Sequence, residues 1–218
     1  MEEARAKLGV CDSARFRQPT EAMDQPSIHE ESLAELIRAG GESWEEFRSI
    51  AGQRHHLLIP CDYAEAYRVL GELSGRATSF IELGSGTGVV TILADLLGFE
   101  ACGIELEPWL VERSMELAQR FGSRANFAEG SFVPTEYQDE VEHLSVDFLT
   151  SAEGACGYDE LDLELDDFDL IYSYPWPGEE DWLQELVRRH ARPGALLLTY
   201  DAGDGFRLVQ DGEPVAEF

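Results

Sequence analysis

The stretch SFIELGSGTGVVTIL, residues 79–93, decides how the chain is read. An apolar run through Phe80, Ile81 and Leu83 leads into Gly84, Gly86 and Gly88, and apolar residues resume at Val89. That order describes a buried strand, a tight turn whose backbone can approach a ligand, and a helix behind it. Three ligand classes compete for such a turn. A nucleoside triphosphate loop needs GxxxxGK followed by Ser or Thr, and no Lys stands here. A dinucleotide loop needs GxGxxG, and here the third glycine comes one residue early. A pyrophosphate also needs an unblocked helix N-terminus, and Glu82 places negative charge beside it. S-adenosylmethionine has no phosphate, and its sulfonium and ammonium are cationic, so an acid beside the glycines favours it.

The neighbouring segments repeat the alternation. TSFIEL (78–83), EACGIEL (100–106), ANFAEG (125–130), DFDLIYSY (167–174) and GALLLTYD (194–201) read as strands. GVVTILADLLG (88–98), PWLVERSMELAQRFG (108–122) and EEDWLQELVRRHARPG (179–194) read as helices, the second with Pro108 at its start and Gly122 at its end. Strands alternating with helices predict an α/β fold with a mostly parallel, Rossmann-like sheet, helices on both faces and right-handed crossovers. Glu105 falls 17 residues after Gly88, at the tip of the second strand, where an acid can accept hydrogen bonds from both ribose hydroxyls.

Three helices are expected before the sheet. SIHEESLAELIRAGG (27–41) has Ser27 as cap, Glu30 three residues later, and Gly40-Gly41 as stop. SWEEFRSIAG (43–52) ends at Gly52, and CDYAEAYRVLGELSG (61–75) has Asp62 as cap. The expected organisation is a disordered tail over 1–26, an N-terminal helical layer over 27–76, and a sheet domain over 77–218. An acidic insertion around 135–167 lengthens the third crossover to about forty residues, more than one helix needs, and suggests a helix plus a loop or hairpin. FRLVQDGEPVAEF (206–218) reads as a short hairpin around Asp211-Gly212, in place of a helix and two long strands.

The formal net charge is −28, and no Lys or Arg occurs between Arg124 and Arg188. Such a field repels phosphate backbones and argues against nucleic acid. It suits a basic protein or a small cation, and it also serves solubility alone. No stretch reaches the roughly 18 to 20 apolar residues that span a bilayer. MEEARAKLGVCDSARFRQ, residues 1–18, has no apolar signal core, so a cytoplasmic location is expected. Cys11, Cys61, Cys102 and Cys156 are scattered and read as free thiols in a reducing compartment. No ligand spacing for a metal occurs, and His55-His56 reads as solvated or locally hydrogen-bonded.

Residues 57 to 200 resemble a class I S-adenosylmethionine-dependent methyltransferase. The resemblance implies that Glu82, Gly84, Ser85, Gly86 and Gly88 form the donor loop and that Glu105 holds the ribose. It also implies an acid at the adenine amine after the third strand; here Ser131 stands in that place, with Phe132 to pack on the ring. A narrower likeness, strongest over 78–111, is to protein-lysine methyltransferases without a SET domain, among them the telomeric-silencing histone enzymes and the ATP synthase c-subunit enzymes. Those carry a hydrophobic-Pro element, here Ile59-Pro60, that closes over the methionine end, and ELEPWLV (105–111) is similar to their second-strand segment. Amino-directed methyltransferases end the fourth strand in a polar residue, two prolines and an aromatic. Ser173, Tyr174, Pro175 and Trp176 resemble that signature, with Tyr174 in place of the first proline. A hydroxyl or carbonyl there would aim an amine, and an aromatic face would tolerate its charge. Glu179 and Asp181 are candidate proton acceptors with nothing in the sequence to fix either.

The reading is therefore a methyltransferase using S-adenosylmethionine, acting on a nitrogen, with a lysine of a basic protein as the favoured acceptor. The alternatives are a small-molecule N- or O-methyltransferase whose N-terminal helices and insertion form a lid, and a cofactor-binding scaffold without catalysis.

Overall fold

The computed structural model describes residues 28–50, 60–142, 149–152 and 154–218. The tail over 1–26, Ser27, His55-His56 and Ile59 lie outside the described residues. Strands β1 (Ser79–Leu83), β2 (Glu100–Glu105), β3 (Asn126–Glu129), β4 (Leu170–Ser173) and β5 (Leu196–Asp201) are parallel, in the order β3-β2-β1-β4-β5. β6 (Gly205–Gln210) and β7 (Glu213–Glu217) extend this α/β, Rossmann-like sheet as an antiparallel hairpin. Asp211 and Gly212 both take positive φ, 52° and 84°, as the tight turn between twisted strands requires. The order reverses between β1 and β4, and a crevice opens at such a switch point.

Alternate strand residues serve opposite faces, the period-2 consequence of a pleated backbone. Phe80, Leu170, Tyr172, Leu196 and Leu198 pack on one side under α1 (Glu30–Ser49), α2 (Tyr63–Leu73), α3 (Val89–Leu96) and α4 (Pro108–Phe121). Ile81, Leu83, Ile171 and Leu197 pack on the other under α5 (Thr135–Glu142), α6 (Gly157–Leu161) and α7 (Glu180–His190). Asp169 ties the strand starts together, its carboxylate accepting from the Thr78 and Ser79 N–H groups at 2.8 and 3.1 Å. No helix among the described residues is long and apolar enough to cross a membrane.

The N-terminal helices differ from expectation in one respect. Gly40-Gly41 does not end a helix: α1 runs unbroken from Glu30 to Ser49, with His29 rather than Ser27 at its cap position. Leu36, Ala39, Trp44 and Phe47 recur at helical spacing and are buried, so packing of one stripe holds the helix through the glycines. Gly40 is there for contact. A Cβ on it would stand 2.2 Å from Val89 Cγ2, so the missing side chain lets α1 lie against the start of α3. α2 begins as expected, with the Asp62 carboxylate accepting from the Glu65 N–H at 3.0 Å.

The insertion contains α5, α6 and a 3-10 turn over Leu165–Asp167, and no hairpin among the described residues. Ser131 bridges to Cys156 and pulls the insertion onto the end of β3. Two glycines permit this approach: a Cβ on Gly130 would meet Ala155 O at 2.5 Å, and one on Gly157 would meet Ile104 Cγ2 at 2.5 Å.

Candidate active site

A cavity of about 490 Å³ opens at the carboxyl ends of β1, β4 and β5. Its floor is the glycine turn. Gly84, Gly86 and Gly88 take φ of 79°, 53° and 75°, a region in which a Cβ is strained. The turn is held from within the chain. The N–H groups of Gly84 and Ser85 both donate to Ile104 O at 2.9 Å, Gly86 N–H donates to Glu105 Oε2 at 2.8 Å, and Gly88 N–H to Ser85 O at 2.8 Å. Amides so engaged are not available to cradle a phosphate. Gly88 itself lies beneath the cavity; a Cβ there would collide with Ser114 and Phe127 at 2.7 and 2.8 Å, so its place is packing at the head of α3. Gly103 does the same from β2, where a Cβ would come within 2.8 Å of Ser85 Cβ.

Glu82 lines the cavity beside the turn and is 5% exposed. Its Oε2 accepts from the Thr91 N–H at 2.9 Å and from the Thr91 hydroxyl. Burial pushes its carboxyl up to about 8, a rise that Glu105 adds to and the Thr91 bonds oppose. The buried hydroxyl of Ser85 has no partner among the described residues. A buried acid near neutrality and an unpartnered hydroxyl over a Cβ-free turn fit a cationic ligand with polar substituents, and S-adenosylmethionine has both.

The fourth-strand end forms the opposite wall. Ser173, Tyr174, Pro175 and Trp176 all line the cavity, and the Ser173 hydroxyl is 3.2 Å from Leu83 O, to which it donates. Tyr174 stands edge-on to Tyr200, ring centroids 5.0 Å apart. Its hydroxyl is pushed up by burial and then by the neighbouring Tyr200 and Asp201. Pro60 and Phe132 reach the cavity as well, so the hydrophobic-Pro element and the residue after β3 converge on one space. Next to Pro60 the Cys61 thiol is pushed up to about 12 by burial, with Tyr172 bonded to it, and so stays neutral and unreactive near pH 7.

Two of the residues expected to touch the donor make hydrogen bonds within the chain. Glu105 is at the tip of β2, 6% exposed, with its carboxylate on the Gly86 N–H and the Glu107 N–H, at 2.8 and 3.0 Å. It braces the turn and lies outside the cavity lining. Ser131, expected at the adenine, has its polar groups bonded within the chain. Its N–H donates to Ala155 O at 2.8 Å, its hydroxyl donates to Ser151 O at 3.2 Å, and the same oxygen accepts from the Val133 N–H at 3.1 Å. Both polar groups are thereby engaged in anchoring the insertion. Glu179 is also not free to act as a base, for its two oxygens accept from Leu149 and Thr150. Asp181 is exposed on the first turn of α7, outside the lining.

Sequence reasoning missed Tyr63, Thr150, Tyr172 and Asp201, all of which line the cavity. Asp201, at the carboxyl end of β5, was findable from the rule that sites collect at strand ends. Thr150 had no local signal, since only the fold brings the insertion over the cavity.

No family model matches the chain. Over 64 residues, 29% of its length, the chain is 39% identical to the ATP synthase c-subunit lysine N-methyltransferase of Xenopus laevis, and the match spans 28% of that protein. Over 51 residues it is 39% identical to the ribosomal protein L11 methyltransferase of Thermus thermophilus, 23% of this chain and 20% of that one. The chain thus matches less than a third of the length of these curated relatives. Among solved structures, a methyltransferase from Geobacter sulfurreducens superposes with a TM-score of 0.50 at 12% identity, over 81% of this chain and 75% of that one. The fold is that of the class I S-adenosylmethionine-dependent methyltransferases. The short matches to curated relatives agree with it, and the glycine turn sits where that fold opens its crevice.

Proposed function

We propose that the protein is a methyltransferase that takes its methyl group from S-adenosylmethionine and gives it to a nitrogen, with a lysine side chain as the favoured acceptor. One observation carries this reading. Among the described residues no Lys or Arg lines the cavity, whose acidic groups are Asp201 and the buried Glu82, while the glycine-turn amides are engaged within the chain. Such a space disfavours polyanionic phosphate ligands and favours ligands that carry positive charge.

When bound, the donor supplies a methyl group already activated by positive sulfur. The chain has to bind, orient and exclude water. Glu82 and Ser85 would hold the charged and polar parts of the donor, and Glu105, braced on Gly86, would turn toward the ribose. Tyr174 and Trp176 would give the acceptor cation an aromatic wall, and Ser173 and Pro175 would keep that wall rigid. The lysine acceptor is supported by the short likeness to lysine N-methyltransferases and by the acidic, aromatic lining. A small cationic acceptor is the second reading, favoured by the way Thr150 of the insertion and Tyr63 of α2 wall the cavity.

The test is incubation of the protein with a cell extract and methyl-labelled S-adenosylmethionine, then separation of proteins from metabolites. Label on lysine supports the first reading and label in a small amine the second. Absence of label together with tight binding of S-adenosylhomocysteine makes the chain a binding protein without catalysis. Failure to bind S-adenosylhomocysteine at all sinks the donor assignment.

A further inference from the structure

We propose that residues 149–152 form a strap that closes the cavity, and that Glu179 is the positioning residue that latches it. Glu179 is 3% exposed, yet its carboxylate faces a loop. Oε1 accepts from the Leu149 N–H at 2.6 Å and the Thr150 N–H at 3.2 Å, and Oε2 accepts from the Thr150 hydroxyl at 2.5 Å. The other end of the segment is held by the Ser131 hydroxyl on Ser151 O. The strap therefore runs from the end of β3 to the start of α7, and Thr150 becomes part of the cavity wall. Three hydrogen bonds from a loop to one buried carboxylate are a concentrated anchor, because charge-assisted bonds are about twice as strong as neutral ones.

The same residue holds the acceptor side. The Glu179 N–H donates to Trp176 O at 2.9 Å and closes the turn that presents Trp176, and Glu179 O accepts from the Leu183 N–H at 3.0 Å at the start of α7. Strap and acceptor turn hence share one anchor, and Thr150 and Trp176, which both line the cavity, are held by Glu179. This explains the buried acid after the fourth strand without making it a base. The closure stands on geometry; only the choice of S-adenosylhomocysteine as probe rests on the proposed function.

Hydrogen exchange of the unliganded protein tests the latch. In Glu179→Ala, the amides of Leu149 and Thr150 should exchange at least about 10-fold faster, with those of β1 and β4 unchanged. Stopped-flow release of S-adenosylhomocysteine should quicken by about the same factor, with little change in its association rate. Unchanged amide exchange overturns the latch, and faster exchange with unchanged release overturns the closure. Should Glu179→Ala also loosen β1, Thr150→Val decides by the same two readings, since it removes one bond and leaves the carboxylate. A wild-type protein that does not bind the probe refutes the donor assignment, and the exchange result still decides the latch.

A separate observation concerns charge. Of 16 cationic residues only Lys7 is a lysine, against 44 acids. Most described arginines already sit in ion pairs, such as Arg38 with Glu42, Arg68 with Glu65, Arg120 with Glu35 and Arg188 with Glu185. The excess acids crowd together: the Glu164 carboxyl is raised by partial burial and by Glu136, Asp166, Asp159 and Asp167 around it. We infer that the chain is suited to concentrated salt, which screens this repulsion as the Debye length falls from about 8 Å at 0.15 M to about 3 Å at 1 M. In such salt the surface acids would not steer a basic partner, and selection of the acceptor would fall to the cavity. The melting temperature should rise by more than about 5 °C between 0.15 and 2 M KCl. No rise, or a fall, overturns the inference.

Discussion

Replacing Glu82 by Gln should stabilise the protein, increasingly so as pH rises from about 5 to about 8. The carboxyl is raised from 4.5 to about 8, mainly by burial at the end of β1. In the unfolded chain it ionises near 4.5, so between that pH and 8 the folded state holds a proton that the unfolded state has released. For a group shifted in this direction, full stability is present below 4.5 and is lost as pH rises toward 8. Three and a half pH units at about 1.4 kcal/mol each make the loss about 5 kcal/mol once pH exceeds 8. Glu82→Gln keeps an acceptor for the Thr91 N–H and removes the titration. Urea unfolding of both proteins at pH 5, 6, 7, 8 and 8.5 in constant salt should give a stability difference that grows toward the variant by up to about 5 kcal/mol. A difference independent of pH would refute the burial argument. The same proton should leave when a cationic ligand binds. Calorimetry of S-adenosylhomocysteine, which carries an ammonium, should therefore show proton release near pH 7 that Glu82→Gln abolishes.

Three further outcomes follow from the site and its supports. Glu105→Ala removes the acceptor of the Gly86 N–H and should weaken S-adenosylhomocysteine by roughly 10- to 100-fold in calorimetry; unchanged affinity would remove Glu105 from the donor site. Trp176→Ala should lower turnover by roughly 10-fold and spare donor affinity, and equal loss of both would assign Trp176 to the donor pocket or the fold. Gly40→Ala should cost about 1–3 kcal/mol in urea unfolding, since its Cβ meets Val89, whereas Gly41→Ala, with nothing within 4 Å, should gain up to about 1 kcal/mol; equal effects would contradict an unbroken α1.

The glycine turn, its flanking strand and helix, Glu82, and the aromatic end of β4 were all legible because each is a local pattern. Apolar periodicity marks what is buried, and glycines mark where the backbone must bend or approach. The Asp211-Gly212 hairpin was legible on the same ground, as two residues that tolerate positive φ. Gly40-Gly41 misled because a glycine pair has two meanings, a helix stop or a close contact. Only the proximity of Val89, distant in sequence, selects the second.

Ser131 and Glu179 were read by position along the chain, as an adenine contact and a candidate base. Their hydrogen bonds run instead to segments 20 to 30 residues away, in the insertion. A polar side chain takes whichever partner the fold brings within about 3 Å, and a linear motif does not specify those partners. By itself, then, the sequence determined the α/β alternation, the glycine turn and the sheet edge at which the cavity opens, since these depend on periodicity and glycine. Tertiary structure alone decided which acids face the cavity, which brace it, and that Thr150 of the insertion joins its wall, because those follow from distances between residues far apart in the chain.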